Sequence, residues 1–307
     1  MLTGIDIGGT KCAVISGSAD GKVKEKIVIP TTSYKETLEK ICCALEKIGV
    51  GRSIGISCGG PLDEKRGIIL APPNLPDWTD VPIVDMLQKE YGVPTAIRND
   101  ANACALAEWK FGAGIGTENL VFLTFGTGLG AGLILNGRLY SGSRGMAGEV
   151  GHIRLSDHGP AGYGKVGSFE GFCSGAGLYE LGRAFAREYI QRGEFPSFIK
   201  NGEINDFSVA DMATAARNGD RCAAEVFNVC AEMLGRGLAV IADILDPEMI
   251  IIGSVFARCR DLLEARALEI MKKESLCRDC KIEIPKFGES IGDAAALAVA
   301  SDELERG

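Results

Sequence analysis

The chain has 307 residues, 46% of them hydrophobic, and a formal net charge of −8. That length suits two domains with substantial cores, and the acidic balance argues against nucleic acid or an anionic membrane surface as the main partner. Eleven cysteines, several inside apolar runs (Cys12, Cys42, Cys104, Cys230), fit buried reduced thiols better than a disulfide framework. No basic segment precedes an apolar signal core, and no apolar run is long enough to span a bilayer, so a cytoplasmic location is expected.

The chain opens with Leu2, Ile5 and Ile7 leading into Asp6-Ile7-Gly8-Gly9-Thr10-Lys11, and Cys12 to Ile15 runs out again. This predicts strand, tight turn, strand. Glycines let backbone N–H groups approach an anion, Thr10 and Lys11 add a hydroxyl and a positive charge, and Asp6 could hold a cation or its water shell. The loop therefore suits phosphate and magnesium, although an ordinary Gly-Gly hairpin explains it equally well. A third strand-like run spans Lys22 to Ile29. Ser33 with Glu36 has capping-box spacing ahead of a helix carrying Leu38, Ile41, Cys42, Leu45 and Ile48. Ser53 to Cys58 reads as a strand ending at Gly59-Gly60-Pro61, and Ala71 to Trp78 is too proline-rich for a regular element. A helix over 83–91, a strand over 95–98 and a helix over 101–112 follow, with 112–116 as a hinge.

The second half repeats the opening unit. Leu120 to Phe125 is strand-like, Gly126-Thr127-Gly128-Leu129-Gly130 turns it, Ala131 to Leu135 leads out, and Asn136-Gly137 signals a hairpin. Neither glycine loop fits the P-loop or the dinucleotide fingerprint. A glycine-rich stretch over 142–177 shows little periodicity, which marks functional or disordered chain. Helices are predicted over 177–192, 220–245, 257–273 and 293–305, and strands over 249–252 and 281–285. Alternating strands and helices in both halves indicate an α/β protein. Cys277-x-x-Cys280 could be half of a zinc site, but no second pair follows.

Asn99-Asp100-Ala101-Asn102-Ala103 sits where a strand meets a helix. Capping explains one polar residue there. Alternatively, Asp100 accepts a proton from a substrate hydroxyl, a light demand in phosphoryl transfer, where positioning dominates. Glu149-x-x-His152 and Glu170 lie in the irregular stretch. With Asn99 they suit a polyhydroxylated ligand, and solvated loop charges are the plain alternative.

These motifs, with Gly59-Gly60-Pro61, Pro73-Asn74-Leu75-Pro76-Asp77-Trp78 and Ala147-Gly148-Glu149-Val150-Gly151-His152, resemble the ROK family (repressors, open reading frames and kinases) nearly end to end. The resemblance implies two RNase H-like domains of the actin-like, hexokinase-like ATPase fold, with ATP and sugar in the cleft between them. It implies an N-terminal domain over 1–116, a larger domain over 117–290, and a C-terminal helix over 291–307 returning to the first. By position, Asp100 would be the general base, while Asn99, Asp100, Glu149, His152 and Glu170 would bind sugar hydroxyls, with Gly60 and Asn74 lining the pocket. Asp6 would serve magnesium, directly or through water. Gly8, Gly9, Thr10, Lys11, Gly126, Thr127 and Gly128 would cradle the phosphates of ATP, and Gly253 would lie on the adenosine side, where Gly253-Ser254-Val255 replaces the family's Gly-Gly-Gly.

Many relatives carry a three-cysteine zinc motif after the Glu–His pair. Here Ala161, Tyr163 and Ser168 stand at the cysteine positions. No structural zinc is expected, and Tyr163 and Phe169 are expected to pack in its place. The implied activity is an ATP- and magnesium-dependent hexose kinase, with glucose first and N-acetylmannosamine or another amino sugar as alternatives. The family's repressors and a non-catalytic sugar sensor are the rival classes. The repressors carry an added DNA-binding domain ahead of the phosphate loop, which here starts within the first ten residues. A homodimer or homotetramer without nucleic acid or membrane partners is implied.

Overall fold

A computed structural model of the chain describes residues 1–306. Gly307, the last residue of the expected C-terminal helix, lies outside the described residues. In chain order the elements are β1 (Leu2–Ile7), β2 (Lys11–Gly17), β3 (Val23–Pro30), α1 (Tyr34–Ile48), β4 (Ile54–Cys58), β5 (Leu62–Asp63), β6 (Ile68–Ile69), α2 (Ile83–Tyr91), β7 (Thr95–Asn99) and α3 (Asp100–Phe111). Then come β8 (Leu120–Leu123), β9 (Ala131–Ile134), β10 (Ala161–Gly162), β11 (Lys165–Val166), α4 (Phe169–Phe172), α5 (Gly175–Gln191), α6 (Val209–Arg217) and α7 (Arg221–Leu245). The chain closes with β12 (Met249–Ile252), α8 (Val255–Arg258), α9 (Arg260–Glu274), β13 (Lys281–Glu283) and α10 (Ile291–Arg306). It divides into two units. The first holds Met1–Phe122, Gly132–Ala147 and the chain from Pro285 onward, and the second holds Leu123–Ala131 and Gly148–Ile284.

The first unit is built on a five-stranded sheet ordered β3-β2-β1-β4-β7. Short turns make β1, β2 and β3 antiparallel, whereas β1–β4 and β4–β7 are parallel and need the crossovers that α1 and α2 supply. Strand alternation sends Ile5, Ile7, Cys12 and Val14 to the face packed with Ile41 and Leu45 of α1. Leu2, Ala13 and Ile15 go to the opposite face, against Ala296, Leu297 and Ala300 of α10. Alternation places Asp6 on this second face too. The alanine run of α10 favours helix and lets it lie close to the sheet. At Gly55 a Cβ would overlap the α10 backbone at Ala296 and Ala300, so only glycine permits this approach.

Glu108, near the end of α3, is fully buried. Its carboxylate accepts the N–H groups of Ala113 at 2.8 Å, Lys286 at 3.1 Å and Phe287 at 3.3 Å, joining α3 to the chain entering α10. Glu108→Ala would leave these donors unpaired in the interior. A loss of about 2–4 kcal/mol is expected in denaturant unfolding. An unchanged midpoint would show that water replaces the carboxylate.

The second sheet runs β13-β12-β8-β9. In the second unit α7 packs most extensively on α9, and its Val226, Phe227, Cys230, Leu234, Leu238 and Ile241 recur at helical spacing and are buried.

Three local expectations differ from the structure. Ser33 occupies the N-cap of α1 but its side chain caps nothing. The Tyr34 N–H instead donates to Asp77 Oδ2 at 2.5 Å, and Glu36 pairs with Lys40 Nζ at 2.6 Å. The helix expected over 257–273 is two helices, because Cys259 leaves helical geometry and its carbonyl starts α9 afresh by accepting from Leu262 and Leu263. The stretch over 142–177 is not structureless. It holds a 3₁₀ turn at Val150–His152, the β10–β11 hairpin and α4. All eleven cysteines are unpaired. Among the described residues no helix is long and apolar enough to cross a membrane.

Candidate functional site

Parallel pairing decides where the first unit's polar residues meet. Ile7, Cys58 and Asn99 are register partners across β1, β4 and β7, so the chain leaves all three strands at one edge of the sheet. Ligands of open α/β sheets bind outside such C-terminal strand ends. A concavity of about 200 Å³ lies there, lined by Asp6, Gly8, Gly9, Gly60, Asn74 and Asp100 among others. Thr10, Lys11 and Asn99 are not among its lining residues. Asn99 Oδ1 accepts the Asn102 N–H at 3.0 Å, so this side chain performs the cap of α3.

The Asp6 carboxylate accepts no hydrogen bond among the described residues. Burial, chiefly, lifts its pKa from 3.8 to about 6. The neighbouring Asp293 carboxylate raises it further, Lys26 opposes the rise, and Asp100 adds to it. Asp293 is itself paired with Lys26 at 2.7 Å. Asp100 is open to solvent, yet the surrounding protein limits its hydration and holds its pKa above the ordinary value. The Ala101 N–H, 2.8 Å from Asp100 Oδ1, works in the opposite direction.

A half-buried carboxylate without a donor, at the end of β1, fits a hard divalent cation. The adjoining turn fits phosphate. Gly9, Thr10 and Lys11 are exposed, with a hydroxyl and an ammonium together. A Cβ at Gly9 would stand 2.7 Å from Asn74 Cβ, so the turn can lie under Asn74 only as glycine.

The second unit carries its own polar turn. The Thr124 N–H donates to the Gly130 carbonyl at 3.0 Å, and the Gly130 N–H returns to Thr124 Oγ1 at 3.0 Å. The Gly126 carbonyl accepts from Gly175 at the start of α5 at 2.7 Å, and Thr127 is left exposed. Gly253 follows β12 and donates to the Leu123 carbonyl at 2.9 Å, while the next N–H but one, from Val255, donates to Phe125 at 2.8 Å. Gly126 and Gly253-Ser254 are thereby brought together. Glu149 and His152 are both exposed at the 3₁₀ turn. Glu170, on α4, accepts the Leu129 N–H through Oε2 at 2.9 Å, which ties α4 to the glycine loop containing Gly128.

The three positions that hold cysteine in zinc-bearing relatives do not form a donor set for that metal. Ala161 has no donor atom, and Tyr163 is 80% exposed, touching only the edge of the His152 ring at 5.4 Å between centroids. The expectation that Tyr163 packs inward is therefore corrected: a phenol on the outer turn of a two-residue-strand hairpin has nothing above it to bury against. Phe169 is buried, as expected, against Gly237 of α7. The hairpin is held instead by Ser168, whose buried hydroxyl accepts the N–H groups of Gly171 at 3.1 Å and Gly162 at 3.2 Å. Ser168→Ala is expected to cost about 1–3 kcal/mol in thermal or denaturant unfolding, as both a helix cap and a buried acceptor are lost. No loss would mean the hairpin is held by packing alone.

Sequence reasoning missed Glu64 and Asp293. Glu64 lies in the charged run Asp63 to Arg66, which reads as solvated surface. Asp293 lies at the start of an alanine-rich helix, where a first-turn acid needs no special explanation. Glu64 also borders a larger hollow of about 840 Å³ beside α2, which holds none of the expected site residues.

The mixed sheet, with its antiparallel opening hairpin and parallel continuation, belongs to the actin-like ATPase fold. The chain is a member of the ROK family, whose sequence profile matches residues 2–303. A glucokinase of Streptomyces coelicolor is 31% identical over 307 residues, covering 98% of this chain and 96% of its own. A xylose repressor of Caldicellulosiruptor bescii is 29% identical over 318 residues, covering 99% of this chain and 78% of the repressor. Among solved structures, a ROK family glucokinase from Streptomyces griseus in complex with glucose and AMPPNP aligns with a TM-score of 0.77 at 29% identity, covering 100% of this chain and 99% of that one.

Proposed function

We propose that the chain is an ATP-dependent sugar kinase that transfers the γ-phosphoryl group to a hexose hydroxyl, the 6-hydroxyl, with glucose as the preferred acceptor. The observation that carries this reading is the convergence of Asp6, the Gly8–Gly9 turn and Asp100 on one concavity at the strand ends. Similarity to a glucokinase solved with glucose and AMPPNP supports it. In this reading Asp100 takes the proton of the attacking hydroxyl at a carboxylate oxygen. Asn99, Glu149, His152 and Glu170 hold the sugar's other hydroxyls, and Gly60 and Asn74 line its pocket. Such a set discriminates by leaving its own polar groups unpaired when a hydroxyl is missing. Gly8, Gly9, Thr10, Lys11, Gly126, Thr127 and Gly128 receive phosphate oxygens, Gly253 lies on the adenosine side, and Asp6 holds magnesium, directly or through water. When bound, magnesium-ATP supplies the transferable phosphoryl group and the charge that offsets its oxygens.

The test is ADP release with magnesium-ATP across hexoses and N-acetylhexosamines, beside a sugar-free control. Clear preference for glucose is the expected result. Preference for N-acetylmannosamine would keep the kinase and replace its substrate. Silence across the panel from protein that binds ATP or sugar would overturn the kinase reading in favour of a sensor or regulator.

A further inference from the structure

Asp100 sits on a junction that the hydrogen-bond pattern of the sheet leaves loose. β7 is the edge strand, so its outward N–H groups have no strand partner, and its last residue, Asn99, leads directly into the helix that begins at Asp100. The missing partner is supplied by Glu64, which follows the short strand β5. Glu64 Oε1 accepts the Asn99 N–H at 2.9 Å and the Asn102 Nδ2 amide at 3.0 Å, one residue before Asp100 and two after it. Its other oxygen accepts the Ser141 hydroxyl at 3.1 Å, and Ser141 Oγ is in turn 3.3 Å from Asn102 Nδ2. Arg98 Nε stands 4.0 Å from the same carboxylate, and the Glu64 side chain is only 9% exposed. Arg98 continues to Asp302 of α10 at 3.9 Å, so the group is braced from behind as well.

We infer that Glu64 is a positioning residue for Asp100, a carboxylate clamp that grips both flanks of the base and fixes its aim at the acceptor hydroxyl. The role rests on the kinase reading above, in which Asp100 is the base. Its chemistry is geometric. Hydrogen bonds to a carboxylate are short and directional, and a displacement near 1 Å in a reacting group can cost about 10²-fold in rate. Glu64 lines no part of the concavity that holds Asp100, so its loss should spare ATP binding and reduce turnover.

The test compares Glu64→Ala, Glu64→Gln and Glu64→Asp with the parent. Glu64→Ala is expected to lower kcat by about 10–100-fold while KM for ATP changes by less than about 3-fold. Glu64→Gln keeps the reach and one acceptor oxygen, so it should recover most of the rate. Glu64→Asp keeps the charge but falls one methylene short, so it should recover less. A better rescue by Asp than by Gln would overturn the clamp in favour of a charge effect on Arg98. Amide hydrogen exchange supplies a readout that needs no activity. In Glu64→Ala, and more weakly in Glu64→Gln, exchange should quicken over residues 99–104 and stay unchanged in β1 and β2. Unaltered exchange with unaltered kcat would overturn the proposal. An inactive parent whose Glu64→Ala variant still shows the local quickening would overturn the kinase reading, and with it the catalytic role, while leaving the clamp itself observed.

Discussion

Asp100→Asn is expected to leave the protein folded and to lower kcat by at least about 10²-fold, the lower end for loss of a general base. The substitution keeps shape and keeps an oxygen where Asp100 Oδ1 receives the Ala101 N–H, so the start of α3 should survive. What it removes is the group that accepts a proton. The loose transition state of phosphoryl transfer asks only modest help from that group, which is why the loss is not set higher. The parent should also lose activity on the acid side, because only the ionised carboxylate can act as a base. Limited hydration raises the pKa of Asp100, so the loss begins at a higher pH than an ordinary aspartate would give. The acid limb should vanish in the variant. Near-normal turnover by Asp100→Asn, read as ADP release with the preferred sugar, would remove this residue from the role.

Asp6→Asn should act in two opposite directions. Magnesium-dependent turnover should be lost, while the ligand-free protein should become more stable at alkaline pH. The pKa of Asp6 rises from 3.8 unfolded to about 6 folded, so the native state binds the proton more tightly. Ionisation therefore opposes folding. The penalty is absent below pH 3.8, grows between the two values and is complete above pH 6 or so. The rise from 3.8 to about 6 corresponds to about 3 kcal/mol, which partial exposure reduces to about 1–2 kcal/mol. Asp6→Asn should thus unfold at higher temperature than the parent at pH 8 and nearly level with it at pH 4. Added magnesium should raise the parent's midpoint at alkaline pH and leave the variant's unchanged. A variant no more stable than the parent at alkaline pH, or one that still responds to magnesium, would sink the assignment.

Local patterns survive where the residues that decide them are close in sequence. Leu2 to Ile15 reads as a hairpin because alternation and the Gly8–Gly9 turn are both local, and the expected strand over 249–252 and helix over 83–91 coincide with β12 and α2. The capping box at Ser33 does not form: the Glu36 carboxylate pairs with Lys40, and the first N–H of the helix, from Tyr34, goes to Asp77, more than forty residues downstream in a proline-rich loop. The break at Cys259 is hidden because apolar spacing continues on both sides of it.

The candidate site divides in the same way. Gly8, Gly9, Asp100, Gly126 and Glu149 stand out from the sequence because glycines and acids cluster beside strand-like runs. Glu64 and Asp293 do not, since each gains its meaning from a partner far along the chain, Asn99 and Asp6 respectively; Ser168 does not either, because its partners Gly162 and Gly171 are close in sequence but meet its hydroxyl only once the hairpin folds.

The sequence by itself determined the α/β alternation, the two glycine-turned hairpins and membership of the ROK family, all of which rest on short-range periodicity and on several short motifs in one order along the chain. Only the tertiary structure decided which buried acid pairs with which backbone donor, how tightly α10 lies on Gly55, and that a serine hydroxyl holds the hairpin at β10–β11. Those choices follow from burial, because a polar group removed from water must find a partner wherever the fold brings one, at whatever distance along the chain.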